Sequence, residues 1–221
     1  MDFFRCIDER RSCRAFFPKE VEKKVLEKIL KSANRSPSYM NSQPWEVFVV
    51  RGAQKEALAK KIFAQASAGI PPTPDFSFPK EWPEAPGRRT KEHRLRRFRA
   101  LGVDPEDTEQ IRESYLKNFQ FFDAPCVVFI GMERVLTSWS IFDLGLFVQG
   151  FLLSAQAEGL GGCPQASVTA YPDVIREELK MPPTIALILA IPLGYPDPAA
   201  RANQYLSMRR EIEEFVRWNG F

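Results

Sequence analysis

Arg10-Arg11-Ser12-Cys13-Arg14 and, beyond the next predicted helix, Ser36-Pro37-Ser38-Tyr39-Met40-Asn41-Ser42-Gln43-Pro44-Trp45 are the stretches on which the reading of this chain turns. The first sets three guanidinium groups and a hydroxyl within five residues. Guanidinium is a planar fork of donors that stays charged at any working pH, so such a cluster suits a phosphate. The second is a polar loop of small hydroxyls, an Asn and a Gln, closed by Pro and Trp. It can offer amide and hydroxyl donors to a flat heterocycle bearing carbonyls and ring nitrogens. Together the two describe a site for a phosphorylated aromatic cofactor.

Outward from them, the chain of 221 residues is long enough for one domain with a substantial core. Its formal net charge of +3 permits anionic ligands without requiring a nucleic acid. Cys6, Cys13, Cys126 and Cys163 are scattered and form no C-x-x-C pair, which points to reduced thiols in a cytoplasmic setting. No basic region followed by an apolar signal core opens the sequence, so secretion is not expected. The single His93, set among arginines, leaves little scope for a Ser-His-Asp hydrolase or a His-rich zinc site. Chemistry by a bound cofactor is the better expectation.

Periodicity predicts helices over 3–10, with Phe3, Phe4 and Ile7 turned inward, and over 21–33, 53–68, 105–122, 138–158, 172–179 and 209–218. Short apolar runs predict strands at 47–50, 126–130 and 185–191, with Ser167-Val168 as a further short one. Pro71, Pro72, Pro74, Pro79, Pro83 and Pro86 argue against regular structure over 69–87. The apolar 138–158 helix carries Asp143, Gln149 and Gln156 and is expected at the protein centre rather than in a membrane. These elements sum to one α+β domain of few strands and many helices.

The order and spacing of the motifs carry a resemblance. Arg10 to Phe16 and Ser36 to Trp45 are followed by Asp123-Ala124-Pro125 before a strand and Asp143-Leu144-Gly145 in the central helix. Glu158-Gly159-Leu160-Gly161-Gly162-Cys163-Pro164-Gln165 and the closing Arg209 to Val216 complete the set. Over nearly its whole length the chain resembles the FMN-dependent nitroreductase family. The resemblance implies an α+β nitroreductase-like fold, a small mixed, mostly antiparallel sheet surrounded by helices, in an intertwined homodimer with FMN at the interface. It implies that Arg10, Arg11, Ser12 and Arg14 hold the phosphate and ribityl chain with Arg209. Pro37, Ser38, Asn41 and Gln43 would reach the same flavin from the partner. Pro164 and Gln165 would lie against the isoalloxazine and present a backbone N–H, although some relatives have Glu-Gly where this chain has Gln165-Ala166.

The implied reaction is a ping-pong transfer of hydride from NADH or NADPH through FMN to nitroaromatics, quinones or similar flat, electron-poor substrates. Enone reduction and reductive dehalogenation are alternatives on the same fold. An insert over about 69–120 is expected to act as a lid, with Phe76, Phe78, Trp82 and Phe119 as candidate covers for a flat ligand. Arg88 to Arg99 holds seven Arg or Lys against one Glu. Alone it reads as a solvated helix face more readily than as a nucleic-acid footprint.

Overall fold

A computed structural model describes residues 2–221. Its sheet has four strands in the order β1 (Glu46–Arg51), β2 (Cys126–Glu133), β4 (Ile185–Gly194) and β3 (Gly161–Gly162). All three pairings are antiparallel; among the described residues parallel pairing is confined to a single bridge between Ser12 and Gly162. Around the sheet lie α1 (Phe3–Glu9), α2 (Lys23–Ala33), α3 (Gly52–Ser67), α4 (Glu84–Leu101), α5 (Thr108–Leu116), α6 (Ser138–Ala157), α7 (Pro172–Leu179) and the single turn α8 (Arg201–Gln204).

The central strand β2 is buried on both faces, because alternate side chains enter two separate cores. Cys126, Val128, Ile130 and Met132 pack with Leu26 and Ile29 of α2 and with Phe147 and Phe151 of α6. Val127 and Phe129 pack with Leu58 and Ile62 of α3, Phe119, Phe121 and Ile175 of α7. The register slips by one residue where Ile130 faces Leu189 and Gly131 faces Leu187. Glycine is required at 131, since a Cβ there would meet Ile185 Cγ2 at 2.6 Å and the Ala186 carbonyl at 2.8 Å.

Several expectations change. The 105–122 helix ends at Leu116, and a 3-10 turn over Lys117–Asp123 follows with Phe121, Phe122 and Asp123 in the left-handed region. That backbone costs about 1–2 kcal/mol per residue. It lets Phe119 and Phe121 both enter the core, each stabilising by about 1.5–3 kcal/mol. Phe119 is therefore a core residue and not a ligand cover. Ser167–Ala170 is a 3-10 turn rather than a strand, and the two-residue β3 went unpredicted because neither glycine has a side chain to pattern. Pro86 lies inside α4, in the first turn, where its missing N–H has no helical acceptor to lose. The tail over 209–218 contains only the 3-10 turn Ile212–Glu214.

Two helices are less buried than expected. Phe3, Phe4 and Ile7 of α1 are exposed, and only Cys6 is buried. Helix α6 buries Leu144, Phe147, Phe151 and Leu152, yet Trp139 (65% exposed) and Phe142 face outward. By length and composition α6 is long and apolar enough to cross a membrane, but one face forms the core against α2 and β2.

The proline-rich segment after α3 is pinned to the sheet. Thr73 N donates to the Ala170 carbonyl (2.9 Å), and Tyr171 Oη donates to that of Ile70 (3.0 Å). The Asp75 carboxylate accepts from Leu187 N–H (2.7 Å), Arg134 Nη2 (2.7 Å) and Arg176 Nη2. Burial pushes this carboxyl up, but the Leu187 N–H and the two guanidiniums outweigh burial and hold it below the usual carboxylate range.

Candidate active site

Residues 10–14 run extended from the end of α1 past β3. Ser12 pairs with Gly162, and Cys13 N donates to the Gly162 carbonyl at 3.1 Å. Cys13 turns inward against Gly161, where a Cβ would lie 2.4 Å from its Sγ, so this close approach needs glycine. Burial pushes the Cys13 thiol up to about 11, and burial likewise raises Cys163. Both are neutral packing groups rather than nucleophiles.

The flanking side chains turn the other way. Arg10, Arg11, Ser12, Arg14 and Arg209 line one cavity of about 530 Å³. Gln149, Tyr205 and Ser207 share its wall, and none of the three was expected from sequence. Arg11 is partly occupied: Nε donates to the Glu9 carbonyl (3.3 Å) and Nη1 to that of Asn203 (3.4 Å). Arg14 Nη1 donates to the Ser12 carbonyl (3.3 Å), and Arg209 Nη1 to those of Ser207 (3.0 Å) and Met208 (3.2 Å). No carboxylate forms a salt bridge with Arg10, Arg11, Arg14 or Arg209 among the described residues.

Asn203 organises this strand and was also missed. It is buried; its Oδ1 accepts from Arg14 N–H (2.7 Å), and its Nδ2 donates to the carbonyls of Ala15 (2.7 Å) and Asp197 (2.8 Å). A single amide 189 residues away in sequence thus sets the course of the arginine strand. No local pattern could have revealed it.

Beyond β3 the chain alternates, with Pro164 and Ala166 exposed and Gln165 buried between them. Gln165 N donates to the Ala190 carbonyl at 2.8 Å and its own carbonyl accepts from Ala190 N. This corrects the expectation that residue 165 presents a free N–H. Among the described residues the next N–H, that of Ala166, has no acceptor. The Gln165 side chain donates through Nε2 to the Asn118 carbonyl (3.2 Å) and Oδ1 (3.1 Å), leaving its Oε1 buried without a partner.

Pro37, Ser38, Asn41 and Gln43 line none of the cavity formed by Arg10, Arg11, Ser12, Arg14 and Arg209. Their loop packs on the first turns of α6: Tyr39 N donates to Asp143 Oδ2 (3.1 Å), and the Tyr39 ring stacks on Trp139 at 6.2 Å. Met40, Asn41 and Gln43 have φ of 50°, 57° and 47°, a left-handed backbone that only Asn adopts readily. Ser38 Oγ accepts from Gln43 N–H (3.0 Å) and steadies the loop. The Met40 side chain, 85% exposed, meets nothing that would bury it.

A third group joins α4 to the site. Arg97 lines a neighbouring cavity of about 400 Å³ with Arg14, Lys117 and Phe122. Burial, followed by the Arg14 charge, lowers the Arg97 pKa. His93 is also lowered, first by burial and then by Arg97, Arg14 and Arg209. Its Nδ1 lies 3.0 Å from Tyr205 Oη. Among the described residues no cluster of His, Cys, Asp or Glu has the makings of a metal centre.

A small antiparallel sheet between helical layers, with a cationic strand beside the turn after β3, defines a class of cofactor-binding α+β proteins. Comparison narrows the class. The profile of the nitroreductase family matches residues 7–195, and the chain belongs to that family. A nitrobenzene nitroreductase of Ectopseudomonas oleovorans is 32% identical, the match covering 95% of this chain and 93% of that one. Among solved structures, the FMN and NADPH-dependent nitroreductase NfnB from sphigopyxis sp. strain HMH superposes with a TM-score of 0.96 at 26% identity, all of both chains being covered. The FMN-dependent NfnB from Mycobacterium smegmatis, in complex with NADPH, gives 0.94 at 28% identity over 98% of this chain and 97% of that one.

Proposed function

We propose that this protein is a cytoplasmic, homodimeric FMN-dependent oxidoreductase that uses NADPH or NADH to reduce nitroaromatics and similar flat, electron-poor compounds. The observation that carries the reading is the gathering of Arg10, Arg11, Ser12, Arg14 and Arg209 around one cavity without a carboxylate salt bridge. Family membership, and relatives described as FMN- and NADPH-dependent nitroreductases, support it.

The residues present fit FMN. Arg10, Ser12, Arg14 and Arg209 offer charged and hydroxyl donors for a phosphate. The unpartnered Gln165 Oε1 is an acceptor for a ring N–H, and the Ala166 N–H is a donor for a ring nitrogen. Pro164 supplies an apolar surface beside them. When bound, FMN supplies two-electron transfer between a nicotinamide donor and an aromatic acceptor. Arg14, Arg97 and Lys117 line the neighbouring cavity, and their positive charge would favour uptake of electrons by a flavin ring bound beside it.

Pro37, Ser38, Asn41 and Gln43 are assigned to the same cofactor from a second copy of the chain. Support comes from their absence from the cavity lining in their own chain and from the exposed Tyr39, Met40, Trp139 and Phe142 around them. The chain acts as a single domain, with the 69–120 excursion serving as a lid over the substrate. Exposed Phe76, Phe78 and Trp82 are its apolar contacts.

An absorption spectrum of the purified protein tests the reading most directly. Flavin bands, about one FMN per chain, elution as a dimer and NADPH-dependent consumption of nitrobenzene are expected. Colourless protein that fails to take up added FMN would overturn it.

A further inference from the structure

The basic run on α4 has a structural use that a solvated face does not explain. Residues 88, 89, 92, 93 and 96 recur at spacings that share one side of a helix. That side looks onto the extended chain after Tyr205. Arg88, Arg89, Arg96, Arg209 and Arg210 meet Tyr205 around a second cavity of about 400 Å³, a size typical of small-molecule sites.

Five guanidinium groups face only two carboxylates there, and of these Glu92 alone forms a salt bridge with one of them, Arg96. Glu92 Oε2 stands 3.8 Å from Arg96, and Glu214 Oε1 accepts the Glu211 N–H at 3.1 Å. Arg210 stacks on Phe215 with its Cζ 4.9 Å from the ring centre. The side chains of Arg88 and Arg89 have no hydrogen-bond or salt-bridge partner among the described residues. Like charges collected in one concavity repel one another, and a multivalent anion relieves that repulsion. His93, whose protonation burial and neighbouring arginines disfavour, adds a neutral ring beside Tyr205 and Met208. Such rings and thioethers suit an aromatic base next to the anion.

The cavity shares Tyr205 and Arg209 with the one assigned to the FMN phosphate. We infer that the α4 face and the 205–210 segment form a docking site for the adenosine 2′-phosphate of NADPH. Arg88, Arg89 and Arg96 are its specificity residues against NADH, which lacks that phosphate. The inference rests on the reading that a nicotinamide dinucleotide is the electron donor. It also gives part of the basic run a use without a nucleic acid: Arg88, Arg89 and Arg96 line this cavity and Arg97 the neighbouring one, while Lys91, Arg94 and Arg99 line neither.

The test uses the FMN-loaded protein and two probes, adenosine 2′,5′-bisphosphate and adenosine 5′-monophosphate, by titration calorimetry. The bisphosphate is expected to bind about tenfold or more tightly than the monophosphate, and Arg88→Ala/Arg89→Ala to abolish the difference. In that variant kcat/KM for NADPH falls about tenfold while that for NADH stays within about twofold and FMN content is unchanged. Arg88→Lys/Arg89→Lys keeps the charge and loses the fork, so part of the preference survives; this variant carries the test should the alanine pair not fold. Equal affinity for the two probes, equal losses with NADPH and NADH, or a fall in FMN content would each overturn the inference. So would duplex DNA binding that the alanine pair removes while the bisphosphate preference persists. If neither dinucleotide were turned over and the calorimetric preference remained, the site would stand and the oxidoreductase reading would fall.

Discussion

Residues 10–14 and 36–45 are both irregular, both polar and both assigned to one cofactor, yet the chain treats them oppositely. The arginine strand is held by its own protein: Ser12 pairs with Gly162, Cys13 fills the space beside Gly161, and Asn203 bonds both Arg14 N–H and the Ala15 carbonyl. The second loop keeps two non-glycine residues besides Asn41 in the left-handed region and leaves Met40 uncovered. Backbone satisfied within the chain is ready before any ligand arrives. Backbone that holds strain beside exposed apolar groups stores it for contacts the single chain does not make. On the proposed dimeric reading, half of this site is preorganised by the fold and the other half waits for assembly.

The comparison breaks most readily at its charged centre. Arg14→Ala removes a charged donor without replacement and is expected to weaken FMN binding about 10- to 100-fold, read by flavin fluorescence on titration. Unchanged affinity would remove the phosphate assignment. Asp75 measures how much in-chain anchoring is worth, because its side chain is only 7% exposed between two guanidiniums and the Leu187 N–H. Asp75→Asn is expected to cost about 3 kcal/mol in urea unfolding. Its pKa is lower folded than unfolded, so its contribution is fully present above the unfolded value near ~3.9 and is lost as pH falls through the folded one. Wild-type stability should therefore drop at acid pH more steeply than that of the Asn variant; parallel profiles would contradict the anchoring.

Gly161→Ala drives a methyl into Cys13 Sγ and is expected to cost about 1–3 kcal/mol, with FMN content falling in step. The second region responds in assembly rather than in stability. Trp139→Glu, on an exposed face, should change chain stability by no more than about 0.5 kcal/mol while shifting the protein toward monomer in size-exclusion chromatography with light scattering. A full dimer would detach that face from the interface. The smallest effect belongs to Met40→Gly, which relieves a φ of 50° and should stabilise the isolated chain by about 1 kcal/mol or less.

Legibility from sequence followed range. The core strands at 126 and 185, the amphipathic α2 and the arginine motif were readable because their signals are local: β-branched runs, helical periodicity and clustered charge. The turn over Lys117–Asp123 was not, since helical propensity there yields to the demand that Phe119 and Phe121 enter one core. Gln165 pairs with Ala190 instead of presenting its N–H, a choice made by a strand that follows in sequence. The inward reading of Phe3 and Phe4 failed because periodicity reports which face is apolar, not whether the same chain covers it.

Composition and motif order alone determined that this is an α+β chain with a tight cluster of arginines and the marks of the nitroreductase family. Tertiary structure decided which of those arginines share a cavity, that Asn203 steers them, and that the α4 cations face the chain after Tyr205. The reason is physical. Charge and hydrophobicity are properties of residues and can be read in order, whereas concavity and the meeting of groups 189 positions apart exist only after the chain has folded.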